Sequence, residues 1–204
     1  MSKFDSIRPY YDSEVNEALK SLLNHPMMKA MMDFTFPEME DEVWKEQLSR
    51  THSIRDFQIN FVYQSIQRVL ERSSEGLSTS GFEKLDPNTS YLFISNHRDI
   101  ILDTSLLNVS LYDHKLIMTA SAIGDNLVQK DFLLKLSKLN RNFLVQRGLS
   151  PRKLLQSSKL MSEYMYHLLS KENRSVWIAQ REGRTKDGND ATHQGVLKMV
   201  GMAN

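Results

Sequence analysis

The stretch that decides the fold is Tyr91-Leu92-Phe93-Ile94-Ser95-Asn96-His97-Arg98-Asp99-Ile100-Ile101-Leu102-Asp103. Its first five residues form a short apolar run of strand type, and a helical pattern follows over about 100–111. The same alternation recurs downstream. Lys115-Leu116-Ile117-Met118-Thr119, Asn142-Phe143-Leu144-Val145-Gln146 and Ser175-Val176-Trp177-Ile178-Ala179-Gln180 read as three more strands. Helical patterns occupy about 125–138, 151–170 and 192–203. Strands alternating with helices build βαβ units, so the expected fold is α/β, a mostly parallel sheet flanked by helices.

Upstream the texture is helical. Val15, Leu19, Leu22 and Leu23 recur at helical spacing, and a longer helix is expected from about Ser53 to Ser73. Between them Pro26 to Phe36 is rich in Met and Phe, which suits either a packing seam or a segment that dips into a membrane interface. The run Glu75-Gly76-Leu77-Ser78-Thr79-Ser80-Gly81 is loop-like. The expected division is therefore a helical region, 1–80, and an α/β domain, 81–204. With four clear strands, that domain is expected to be incomplete at its C-terminal end.

Composition excludes several classes. The 204 residues carry 26 Lys+Arg against 25 Asp+Glu, a net charge of +1, so no nucleic-acid partner is expected. The chain has no Cys, which removes thiolate nucleophiles and Cys-type zinc sites. No H-E-x-x-H or similar spacing occurs among the six His, and no metal is expected. No apolar run approaches the ~20 residues of a membrane span, and the N-terminus lacks the order of a secretory signal. A cytoplasmic protein is expected.

In parallel sheets ligands sit beyond the carboxyl ends of strands, so the residues after each run matter most. His97 follows the first run, and Asp103 lies six positions later. On one continuous helix those side chains would be about 240° apart. They form a base and its orienter only if His97 sits in the loop before the helix. Asp99 is then a natural helix cap, since its carboxylate can accept a helix N–H. The competing reading is a polar loop with a capping Asp and a His satisfied by backbone. Arg147 follows the third run, and Arg181, Glu182, Gly183, Arg184 and Lys186 follow the fourth. Arg forks suit phosphate or carboxylate, and Gly183 and Gly188 allow tight backbone near a ligand. Taken singly, each loop also reads as solvated surface charge.

Asn96-His97 with Asp103, then Phe143-Leu144-Val145-Gln146-Arg147, then Glu182-Gly183-Arg184-Thr185 resembles the glycerolipid acyltransferase family. That family is marked by N-H-x4-D, an apolar strand ending in Arg, and a P-E-G-T-R-S-like block. The resemblance covers roughly residues 85–200, in matching order. Two spacings depart from the family: the Asp comes one position late, and Arg184 follows Glu182 by two positions rather than three.

The resemblance implies transfer of an acyl group from acyl-CoA or acyl-carrier protein to a hydroxyl of glycerol phosphate, a lysophospholipid or a related lipid. It implies His97 as general base, Asp103 as its orienter, and Arg147 with Glu182, Gly183 and Arg184 as the acceptor site. No cofactor beyond the thioester co-substrate is implied. The implied partners are the donor, the acceptor and a membrane surface, with the protein peripheral on the inner face. Two alternatives stand beside it: a catalytically weak, lipid-binding domain of this type, and a (thio)esterase.

Overall fold

The computed structural model describes residues 2–187 and 191–203. The chain forms two compact units, one comprising Met1–Arg8, Thr79–Leu127 and Asn142–Asn204, the other Pro9–Ser78 and Val128–Arg141. The first is α/β and the second helical. Two segments thus depart from a simple division at residue 80. The first residues join the sheet because Phe4 and Ile7 are buried in its core, and the Ile7 carbonyl accepts the Leu144 N–H at 2.9 Å. Residues 128–141 join the helices because Phe132 and Leu139 are buried in the helical core.

The α/β unit holds four parallel strands: β1 (Leu92–Ser95), β2 (Thr119–Gly124), β3 (Asn142–Val145) and β4 (Ser175–Ala179). Their order is β1-β4-β2-β3. Leu92 pairs with Val176, Ala120 with Val176, and Ala122 with Phe143, so all four carboxyl ends reach the same edge. The helices of this unit are α6 (Leu102–Asp113), α8 (Pro151–Ser170) and, after the last strand, α9 (Gln194–Val200). α9 and the 3-10 turn Gly201–Ala203 stand where one helix over 192–203 is expected, and Gly188 lies outside the described residues.

Side-chain alternation along the strands assigns these helices to faces. Val176, Ile178, Ala120 and Phe143 pack with Met161, Tyr164 and Leu168 of α8. Val196 and Met199 of α9 pack on the same cluster. On the other face Thr119 bonds Asn108 of α6 through both its N–H and its hydroxyl. The helices that follow the neighbouring strands β1 and β4 therefore lie on opposite faces. Such a reversal opens a crevice between the strand tips.

β2 corrects the sequence reading. The apolar run Lys115–Thr119 is mostly connector, and the strand is Thr119–Gly124. Lys115 takes a left-handed φ of 59° and the Leu116 N–H donates to the Leu111 carbonyl, which closes α6 and delays the strand. The strand itself is built of small residues. Ala120 leaves room for the α8 side chains, and Thr119 and Ser121 bond one another across their shared face.

The helical unit comprises α1 (Asp12–Lys20), α2 (Pro26–Thr35), α3 (Asp41–Ser49), α4 (Ile54–Phe57), a π-helical segment (Gln58–Tyr63), α5 (Gln64–Ser73) and α7 (Asp131–Leu139). Pro26 opens α2 at its first position, with the His25 ring accepting the Met27 N–H. Met28 and Met32 are buried in the core with Trp44, Leu48 and Phe57, and Met31 and Phe36 pack against it, so most of the Met-rich stretch is a packing seam. Among the described residues, no helix is long and apolar enough to cross a membrane.

Candidate active site

His97 lies in the loop between β1 and α6, outside the helix. Its Nδ1 is 2.8 Å from Asp103 Oδ2, in the first turn of α6. The side chains are 16% and 20% exposed, so the contact is largely shielded from water. The same Oδ2 accepts the N–H groups of Arg98 at 2.7 Å and Asp99 at 3.1 Å. Three donors converging on one oxygen fold the loop back over the helix start, and this brings together residues that a continuous helix would separate. An ionised carboxylate only accepts, so the proton of neutral His97 belongs on Nδ1. Nε2 then presents a lone pair, as a general base requires.

Asp99 does a different job. Its Oδ1 accepts the N–H groups of Ile101 and Leu102, both at 2.8 Å, and so caps α6. The Leu102 and Ile101 N–H groups hold its carboxyl below the ordinary value, with smaller help from the nearby charges of Arg184 and His97. Capping by Asp99 and orientation by Asp103 therefore coexist. Both follow from a His97 placed in the loop before the helix.

Beneath the imidazole lies Trp177 of β4. Its ring meets His97 edge to face at 5.8 Å between centroids, and its Nε1 donates to Ser95 Oγ at 2.9 Å. Asn96 Oδ1 accepts from Gln180 Nε2 at 2.7 Å. The Thr185 N–H donates to the His97 carbonyl at 2.7 Å. The loops after β1 and β4 are thus bonded to each other across the crevice.

Arg147, beyond β3, reaches the same edge. Its Nη1 donates to Glu182 Oε1 at 2.7 Å, and its backbone N–H to Asp125 Oδ1 at 3.1 Å. Gly124 ends β2 beside it. A Cβ there would stand 2.5 Å from Asn126 Oδ1, so that exposed side chain would have to turn aside, and 3.5 Å from Arg147 Nε, an ordinary contact. Gly183 has a φ of +73° with open space around it, so its requirement is backbone conformation, not room. Arg184 is exposed and within electrostatic reach of Asp99.

The arrangement brings His97, Asp103, Arg147, Glu182, Gly183 and Arg184 to the carboxyl edge of one sheet. Sequence reasoning missed Trp177, Thr185, Gly124 and the Asp125-Asn126 turn. The last had a signal, since Gly124-Asp125-Asn126 is turn-forming. Its position at a strand tip was hidden by the misplaced β2. Among the described residues, no group of three or more His, Asp and Glu side chains is arranged to hold a metal ion. No protein-family model matches this chain, and no curated protein matches it at a significant level.

Proposed function

We propose that the chain is an acyltransferase that moves a fatty acyl group from acyl-CoA or acyl-carrier protein to a hydroxyl of glycerol phosphate, a lysophospholipid or a related lipid. The observation that carries this reading is the His97–Asp103 contact at a strand tip, with Nδ1 engaged and Nε2 without a hydrogen-bond partner among the described residues. The same contact counts against a catalytically weak domain. The one-residue shift in spacing is absorbed by the loop, where the backbone N–H groups of Arg98 and Asp99 fold onto the Asp103 carboxylate.

In this reading Nε2 removes the proton from the acceptor hydroxyl. The oxygen attacks the thioester carbonyl carbon, and a C–O bond forms. The tetrahedral intermediate collapses with cleavage of the C–S bond. The imidazolium returns its proton to the departing sulfur, so ester and thiol leave and His97 is neutral again. Asp103 stabilises the imidazolium between these steps. General-base catalysis of this type contributes about 10²–10⁴-fold, and positioning of the acceptor supplies more. Arg147 and Arg184 would take the acceptor's anionic group. Glu182, already on the Arg147 guanidinium, would hold that fork in place or yield it to the acceptor. The acceptor and product imply peripheral attachment at the cytoplasmic face of a membrane.

The test is thiol release from several acyl thioesters against a panel of acceptors, with wild-type protein and His97→Ala. Acceptor-dependent release that disappears in a folded His97→Ala protein supports the reading. Undiminished release in that variant refutes it. Release that needs no acceptor would instead assign a thioesterase.

A further inference from the structure

α8 extends past the core it packs on. Its buried residues Ser157, Met161, Tyr164, Met165 and Leu168 follow one stripe. Leu154 stands seven positions before Met161, and Leu155 seven before Ser162, which is also buried, so both leucines continue that stripe. Yet they are 52% and 61% exposed. The stripe emerges where the helix leaves the carboxyl edge of the sheet. On the opposite face, just before α6, Ile100 is 40% and Ile101 65% exposed. An uncovered apolar pair therefore stands on each side of the edge that carries His97 and Arg147.

The charges of that edge are unequally engaged. Asp103 is bonded to His97, Asp99 caps α6, and Asp125 and Glu182 hold Arg147. Arg98, Arg152, Lys153 and Lys186 are exposed, with no ion pair among the described residues. Arg152 and Lys153 lie in the first turn of α8, which carries no acidic residue. A helix dipole disfavours cations at that end, so this placement is unfavourable for the isolated fold. An anionic surface lying against the turn reverses the sign of that cost.

We propose that the carboxyl edge of the α/β unit docks on an anionic lipid bilayer. Leu154, Leu155, Ile100 and Ile101 enter the interface, and Arg98, Arg152 and Lys153 meet lipid phosphates. The proposal rests on the acyltransferase reading for its purpose alone: docked so, His97 faces the layer that holds a lipid acceptor.

The experiment is vesicle flotation of the full chain. Wild-type protein should float with phosphatidylcholine mixed with phosphatidylglycerol, and far less with phosphatidylcholine alone. The double variant Arg152→Gln/Lys153→Gln should weaken partitioning by roughly 30-fold, about fivefold per cation. Leu154→Ser/Leu155→Ser should weaken it by roughly tenfold or more. Both should unfold at the wild-type temperature, since all four side chains are exposed. Equal flotation with both lipid mixtures, no flotation, or wild-type flotation of the variants would each overturn the proposal. So would a dimer in gel filtration that the leucine variant splits, because the face would then belong to a second copy. Transfer to soluble glycerol 3-phosphate separates docking from chemistry. The leucine variant should keep it while losing transfer to a vesicle-borne acceptor, and loss of both in a folded variant would assign these leucines to the reaction instead. If wild-type protein floats as described yet transfers to no acceptor, the acyltransferase reading falls and the docking surface stands.

Discussion

Asp103→Asn isolates the one contact on which the proposed chemistry turns. The carboxylate lies 2.8 Å from His97 Nδ1 in a pair that is only 16% and 20% exposed. When Nε2 takes a proton, the imidazolium gains a full charge beside that oxygen. At 2.8 Å two unit charges interact by about 1.5 kcal/mol in water and about 6 kcal/mol at an effective dielectric near 20. At about 1.4 kcal/mol per decade this is roughly 10- to 10⁴-fold in rate, overlapping the range seen for general-base catalysis. Asparagine keeps the volume and one acceptor oxygen for the Arg98 and Asp99 N–H groups. That same oxygen meets His97 Nδ1, so the tautomer is kept, and what is lost is the negative charge that stabilises the imidazolium. The loop should persist, with a stability loss of about 1–2 kcal/mol as charge-assisted hydrogen bonds become neutral ones. The measurement is the initial rate of thiol release at saturating donor and acceptor, with unfolding followed by denaturant titration. A fall of about 10²–10⁴-fold in kcat, with little change in either KM, is expected. A folded Asp103→Asn protein within threefold of wild-type kcat would show that Asp103 is structural and that His97 needs no orienter.

Three other perturbations address neighbouring groups. Arg147→Ala should raise the acceptor KM by roughly 10- to 100-fold through loss of charge-assisted contacts, and leave the donor KM near wild type; kinetics with each substrate varied in turn will check this. Gly124→Ala places a methyl 2.5 Å from Asn126 Oδ1, the tip of an exposed side chain that can turn into solvent, and in ordinary contact with Arg147, so the acceptor KM should change little, as the same kinetics will check. Asp99 has a carboxyl held low by the Leu102 and Ile101 N–H groups in the folded state. The stability it contributes is present above the ordinary carboxylate range and lost as pH falls through its lowered folded value. Denaturation curves across acid pH should show that dependence reduced in Asp99→Asn, with activity at neutral pH little changed.

The α/β class and the edge that carries the site were legible because β1, β3 and β4 are apolar runs ending in polar, chemically capable residues. His97 and Asp103 could be paired on paper only by assuming a loop, since a six-residue spacing opposes them on a helix. What supplies that loop is the Asp103 carboxylate gathering the Arg98 and Asp99 N–H groups, a backbone event that no residue pattern announces. β2 was misplaced because Thr119-Ala120-Ser121-Ala122 has no apolar run, and its strand character comes from two flanking partners. Phe4 and Ile7 joined a distant core by tertiary packing and one backbone hydrogen bond to Leu144, neither of which local sequence announces. Trp177 read as an ordinary strand residue; its contact with His97 depends on β4 lying next to β1, which strand order decides and local sequence does not.

The π-helical segment at Gln58–Tyr63 changes how the helical unit tolerates changes in chain length. The buried apolar residues along this run are Ile54, Phe57, Phe61 and Ile66, separated by three, four and then five positions. Five positions on an α-helix would turn the last side chain about 140° away from its predecessor. Ile66 is buried outside the cluster that holds Ile54, Phe57 and Phe61, whereas Ser65, four positions after Phe61, meets Thr35 Oγ1 of α2 at 2.7 Å. The wider π turn carries one residue more than an α turn, so it sets which side chains α5 presents to α2. Read as a reading-frame problem, the segment fixes the frame of everything after it. Deleting one residue within Val62–Gln64 would set Ile66 four positions after Phe61, where Ser65 now meets Thr35, and would put every later side chain of α5 out of phase.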